Sequence, residues 1–154
     1  MCTIGYEGAS MEDFLATLCA KKVELLIDVR QRAISRKQGF SARALEQRLQ
    51  EAGISYHHLV DLGDPKEGRD AAKAGHMDLF TRIFQQHLES QAGQDGLQQA
   101  AILVEKYPSC LLCYERDPNQ CHRLLVANRL KQSMDIVIDH LGVRHGIATV
   151  GNLR

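Results

Sequence analysis

The chain carries no net charge, because its 19 lysines and arginines balance 19 aspartates and glutamates. No overall field draws in a polyanion, so any basic surface has to be local. It also lacks any run near the roughly 18 uncharged apolar residues that a membrane-crossing helix needs. Met1 to Gly8 turns polar at Glu7 and does not read as a secretory signal, so a cytoplasmic location with no membrane partner is expected. The five cysteines (Cys2, Cys19, Cys110, Cys113 and Cys121) are odd in number. Without a secretory signal that argues for reduced thiols and against a disulfide framework. Cys2 and Cys19 sit among apolar neighbours and read as plain core or terminal residues. Internal repeats, low-complexity tracts and Pro/Gly-rich linkers are missing as well, and 154 residues fit one domain.

What the chain does have is alternation. Cys2–Tyr6 reads as a first strand. Ser10 then caps a helix with Phe14, Leu15, Leu18 and Cys19 on its apolar face. Val23–Val29 is a continuous apolar run of the kind that forms a buried parallel strand. Arg30 to Phe40 is a polar, basic loop, after which Ser41 caps a helix carrying Leu45, Leu49 and Ala52 that stops at Gly53. Ile54–Leu59 suits a third strand, and Asp61 to Pro65 is turn chemistry. Met77, Phe80, Phe84 and Leu88 form a helical stripe, as do Leu97, Ala101 and Val104, and both read as core. Cys110–Tyr114 is a fourth strand, Cys121–Leu130 another helix, and Asp135–His140 a fifth strand. The expected fold is an α/β three-layer sandwich over residues 1–141, a mostly parallel sheet of about five strands with helices on both faces. Residues 142–154 form a C-terminal tail without clear period.

In such folds ligands bind beyond the carboxyl ends of the strands. That edge receives Tyr6 and Glu7 from strand one, Asp28 and Arg30 from strand two, and Tyr56, His57 and His58 from strand three. Strand four brings Cys113 and Glu115, the following helix Cys121, His122 and Arg123, and strand five His140. Arg123 in a first helical turn opposes the helix dipole, which an anion bound beside it would offset; the alternative is a clasp to Glu115 or Asp117. Asp28 and Glu115 are candidate general acid/base groups, with pairing to Arg30 and Arg123 as the structural alternative. Cys121, at a helix start beside His122, is a candidate thiolate nucleophile. Cys113, Cys121 and His122, completed by His140 or Asp28, are a weaker zinc reading, because a spacing of seven between the cysteines is no standard finger. Arg30, Arg32, Arg36 and Lys37 form an acid-free basic stretch suited to phosphate groups.

These phrases resemble a known family, that catalogued as domain of unknown function 488, small bacterial and archaeal proteins. The resemblance rests on Thr3–Gly8 (TIGYEG), Leu26–Arg30 (LIDVR), Ser35–Ser41 (SRKQGFS), Leu62-Gly63 with Pro65-Lys66, and Cys113–Asp117 through Cys121-His122-Arg123. It implies an α/β fold with a shared site and no settled activity. Ala33 stands where the family often has proline. A more distant echo is the rhodanese superfamily, but a Cys-x5-Arg cradle starting at Cys113 would need arginine at Asn119. The leading expectation is an enzyme acting on a phosphate-bearing substrate, a nucleotide or nucleic acid. Arg30 and Arg123 would hold the anion with Arg36 nearby, and Tyr6, Glu7 and His122 would orient the substrate. Asp28 or Glu115 would move the proton. The alternatives are a non-catalytic nucleic-acid-binding module and a Cys/His metal or thiol redox protein. The cofactor and the oligomeric state stay open.

Overall fold

A computed structural model describes residues 1–152. Its centre is a five-stranded, all-parallel sheet made of β1 (Cys2–Gly5), β2 (Leu25–Asp28), β3 (Ser55–His58), β4 (Ser109–Cys113) and β5 (Asp139–Leu141), in the order β3-β2-β4-β1-β5. The helices are α1 (Met11–Ala20), α2 (Ala42–Glu51), α3 (Lys66–Lys73), α4 (Met77–Glu89), α5 (Gln91–Lys106), α6 (His122–Ser133) and α7 (Ile147–Asn152).

Residues alternate between sheet faces along each strand, which divides the core in two. Ile4, Leu26, Cys110 and Leu112 pack under Phe14 and Leu18 of α1 and Leu45 and Leu49 of α2. Leu25, Ile27, Leu111 and Cys113 pack under Phe84 and Leu88 of α4, Ala100 of α5, and Val126 and Leu130 of α6. Both faces are covered, which is why β2 and β4 are buried end to end. This is the expected α/β sandwich.

Four local expectations need correction. Asp135–His140 is not one strand: β5 spans only Asp139–Leu141, because its partner β1 starts at Cys2 and offers nothing earlier to pair with. Ile136 and Ile138 instead pack against the α4–α6 face. His140 therefore does not close a strand at the ligand edge; it lies opposite Thr3, Nδ1 and Oγ1 being 2.6 Å apart. Cys19 is exposed, and the buried face of α1 consists of Met11, Asp13, Phe14, Thr17 and Leu18. Ser41 makes no side-chain cap on α2; its Oγ accepts the Ser35 N–H at 3.0 Å, tying down the basic loop. Ser10 does cap α1, accepting from Asp13 N at 3.1 Å. The segment after β5 folds back on α1, where the Asp13 carboxylate accepts the N–H groups of Gly146 (2.9 Å) and Ala148 (3.0 Å).

Candidate active site in a basic cleft

The chain leaves β1 and β2 toward the α1–α2 face and leaves β4 toward the α6 face. Connections on either side of β4 thus diverge, and a crevice opens at its carboxyl end, as the topology of open parallel sheets requires. The crevice is a cleft of about 910 Å³. Its walls come from the loops after β1, β2 and β4, from Asp64 and from α3, and its floor holds Cys113, Glu115 and His122. Close packing of those loops depends on two glycines. A methyl group on Gly5 would run into the Glu115 carbonyl, and one on Gly63 into the Gln31 backbone.

Asp28 and Arg30 stand on the α1–α2 side. Asp28 is fully buried and Arg30 is 5% exposed. Arg30 Nε donates to Asp28 Oδ1 at 2.9 Å and Nη2 to Oδ2 at 2.7 Å, while Nη1 donates to the Phe40 carbonyl (2.8 Å) and the Tyr6 hydroxyl (3.2 Å). Tyr56 donates its hydroxyl to Asp28 Oδ2 at 2.6 Å. Burial alone would lower the Arg30 pKa, but the Asp28 carboxylate overrides it and raises it. Tyr56 is raised by burial and by the Asp28 charge. Tyr6 stacks on Phe40 with centroids 4.6 Å apart. His58 Nε2–H donates to the Arg30 carbonyl at 2.6 Å. Asp28 is thus a partner of Arg30 and Tyr56, as the pairing alternative has it, and the ring of bonds around Arg30 shapes the cleft wall.

The thiols lie on the α6 side. Cys113 ends β4, Cys121 precedes the first turn of α6, and His122 begins that turn; all three are buried. Their ligand atoms lie within 4.8 Å of one another. His122 Nδ1 is 3.7 Å from Cys113 Sγ and 4.0 Å from Cys121 Sγ, and its Nε2–H donates to the Val29 carbonyl at 2.6 Å. Cys113 Sγ also reaches Glu115 Oε2 at 3.6 Å. Burial alone would push Cys121 up; hydrogen bonds from Cys113 and His122, with the charges of His122 and Arg123, carry it well below its ordinary value. Cys113 is raised by its bond to Cys121 and by burial. His122 is raised to about 9, burial being outweighed by its bond to Cys121 and that thiolate's charge. Burial, then the Cys121 charge, pushes Glu115 up to about 7. Burial pushes Asp64 up to about 6 against the pull of His122 and Arg69. The cluster therefore brings together two sulfurs, an imidazole and two carboxyl groups of raised pKa. That set suits nucleophilic attack, proton transfer or coordination of a soft metal. His140 and Asp28 take no part in it, since His140 is held by Thr3 and Asp28 by Arg30 and Tyr56.

Arg123 lies beneath the cleft, not in it. Fully buried, it donates to the carbonyls of Glu115 and Arg116 and, through Nε, to Thr3 Oγ1 at 3.2 Å. The guanidinium so expected to bind an anion instead clamps the loop after β4 onto β1, and it pairs with neither the Glu115 nor the Asp117 side chain. Glu7 serves the same loop, its Oε1 accepting Arg116 N–H at 3.0 Å. Besides Arg30, which is paired with Asp28, the cations that face the cleft are Arg32, Arg36 and Lys37 from the loop after β2, with Arg69 and Lys73 from α3. Tyr114 and Ile34, 45% and 67% exposed, stand among them. Sequence reasoning missed Asp64, Arg69 and Lys73 entirely, since a turn followed by a short charged helix carries no chemical signature. It named Cys113 only in the weaker zinc reading, beside Cys121 and His122, where the structure brings the three together.

An α/β chain with a cationic cleft over a thiol–imidazole floor at the carboxyl edge of its sheet is the class this geometry defines. The family described as Domain of unknown function DUF488 matches residues 10–130, and the chain belongs to it. No curated protein matches the chain, and no solved structure does.

Proposed function

We propose that this chain is an enzyme acting on a phosphate-bearing substrate, a nucleotide or nucleic acid, bound in the cleft at the carboxyl edge of the sheet. The observation that carries this reading is the lining of that cleft. Five cationic side chains from two separate elements, the loop after β2 and α3, converge above Cys113, Glu115 and His122. In a molecule of zero net charge this is a local concentration of positive charge, and such a concentration recognises phosphate. Arg32 and Arg36 are exposed and free of acidic partners among the ion pairs of the described residues. Tyr114, half exposed, offers an aromatic face to a base, and stacking of that kind is tolerant of base identity. Beneath them Glu115 is positioned to accept or give a proton, and the Cys121–His122 pair supplies a nucleophile or orienting group.

The test is a binding and turnover screen against nucleotides and short oligonucleotides, comparing the wild type with Arg36→Ala/Lys37→Ala and with Glu115→Gln. The double variant is expected to weaken binding at least about tenfold. On single strands it should also flatten the slope of log K against log salt by about 1.4, the contribution of two phosphate contacts. Glu115→Gln should bind normally and lose turnover. Normal turnover in Glu115→Gln would take that residue out of the chemistry, and salt-sensitive binding with no turnover by the wild type would make the chain a non-catalytic nucleic-acid-binding module.

A further inference from the structure

We infer that Cys113, Cys121 and His122 together form a metal site for zinc, with three protein ligands and a fourth position open to the cleft. The inference goes beyond the reading above, because it concerns what the protein itself holds, whatever the cleft binds.

The first argument is geometric. In a tetrahedral zinc site with Zn–S about 2.3 Å and Zn–N about 2.0–2.1 Å, a sulfur and a nitrogen ligand stand about 3.6 Å apart. Here Nδ1 of His122 is 3.7 Å from one sulfur and 4.0 Å from the other. Both nitrogen–sulfur separations are thus within a few tenths of an ångström of that value, and all three ligand atoms lie within 4.8 Å of one another.

The second argument is the orientation of the imidazole. Its Nε2–H is fixed on the Val29 carbonyl at 2.6 Å, which leaves Nδ1 as the ring atom facing the thiols. A backbone carbonyl behind the far nitrogen is the outer-sphere partner that ligating histidines use to set ring orientation and basicity. The ring is also held from the side by the edge of Phe84, centroids 5.0 Å apart.

The third argument is what the sulfurs do not do. Cys121 stands at the N-cap of α6, yet its side chain makes no capping bond there. Cys113 Sγ finds only weak partners, at 3.6 Å and 3.7 Å. Nearby, the buried Asp64 side chain has an oxygen, Oδ1, with no hydrogen-bond donor. A bound cation would give these sulfurs and that carboxylate oxygen a strong partner.

Ligand chemistry selects the metal. Two thiolates and one imidazole suit zinc and disfavour magnesium or calcium, which take oxygen. A Cys₂His set with an open position is the arrangement of catalytic rather than structural zinc. Glu115, at 3.6 Å from Cys113 Sγ, stands beside that position.

The experiment uses untagged full-length protein kept reduced, stripped of metal, reloaded with cobalt(II) and freed of excess by gel filtration. The wild type is expected to retain about one cobalt per chain and to show thiolate-to-cobalt charge-transfer absorption with the intense visible bands of a four-coordinate site. Cys121→Ser and His122→Asn should each lose those bands, and Cys19→Ser, on the exposed face of α1, should keep them. Circular dichroism and a thermal melt separate loss of metal from loss of fold. If either ligand variant unfolds, the wild-type spectrum and a competition titration with zinc decide alone. Folded wild type that retains no cobalt, or cobalt bound without a thiolate band, overturns the inference. So does a folded Cys121→Ser variant with the wild-type spectrum.

Discussion

Arg30 lies along the Asp28 carboxylate, with Nε 2.9 Å from one oxygen and Nη2 2.7 Å from the other, in a place where neither residue meets water to any extent. Two residues apart in sequence, they form the wall between the sheet and the basic loop. Arg30 extends that wall through the Phe40 carbonyl and the Tyr6 hydroxyl.

Removing one partner of such a pair leaves the other charged and buried. Asp28→Ala is expected to destabilise the fold by about 3–5 kcal/mol. Tyr56, whose hydroxyl donates to the same carboxylate, should have its raised pKa fall part of the way in that variant if it folds, the share due to burial remaining. Chemical denaturation and a spectroscopic titration of tyrosine check the two parts. A loss under about 1 kcal/mol, as for an exposed pair, would contradict the account.

Arg123 gives a second prediction, opposite to the one its position in sequence invites. Because its guanidinium bonds backbone carbonyls and Thr3 under the loop after β4, Arg123→Ala should act on stability first. Hydrogen bonds from a charged group contribute about 1.5–3 kcal/mol each, so the loss should reach several kcal/mol. Arg123→Lys should recover little of it, since an ammonium cannot span three acceptors with a planar fork. Amide hydrogen exchange should speed up from Tyr114 to Asp117 in either variant. A fully stable Arg123→Ala that fails to bind ligand would return the residue to the anion.

A third prediction concerns acid. Asp13 is held below the usual carboxylate range by the N–H groups of Ala148 and Gly146. Its pKa is lower in the folded chain than in the unfolded one, so its contribution is present above the unfolded value and fades as pH falls through the folded one. The amide resonances of Gly146 and Ala148 should therefore stay constant through neutral pH and move only in strong acid. Asp13→Asn should shift both at neutral pH. Movement of those amides near neutrality would contradict the assignment to Asp13.

Much of this architecture was legible in the sequence, for a physical reason. Val23–Val29 and Cys110–Tyr114 are unbroken apolar runs, and only strands covered on both faces read that way. The strand ends could be read too, so Tyr6, Arg30, Glu115 and His122 were placed at the right edge. What the sequence withheld was direction. Asp28 and Cys113 each stand near a strand end, but the pleat sends Asp28 to Tyr56 and Arg30 and Cys113 to His122. Arg123 and Arg36 look alike in one dimension, yet one is fully buried and the other exposed. Asp64 and Arg69 reach the cleft through the placement of α3, which depends on tertiary packing and leaves no local trace. The bounds of the fifth strand show the same limit: Asp135–Ile138 has the composition of a strand, but β1 offers it no neighbour.

The central claim is that the cleft above Cys113 and His122 binds phosphate-bearing ligands. Its most direct test is to record amide correlation spectra of the labelled protein during titration with a nucleoside monophosphate and then a short oligonucleotide. The account predicts saturable shifts confined to the loop after β2 around Ser35–Lys37, to Arg69 and to Tyr114–Arg116. Shifts centred instead on the α4–α6 groove around Arg82 and Arg129, or no saturable shifts with either ligand, would contradict it.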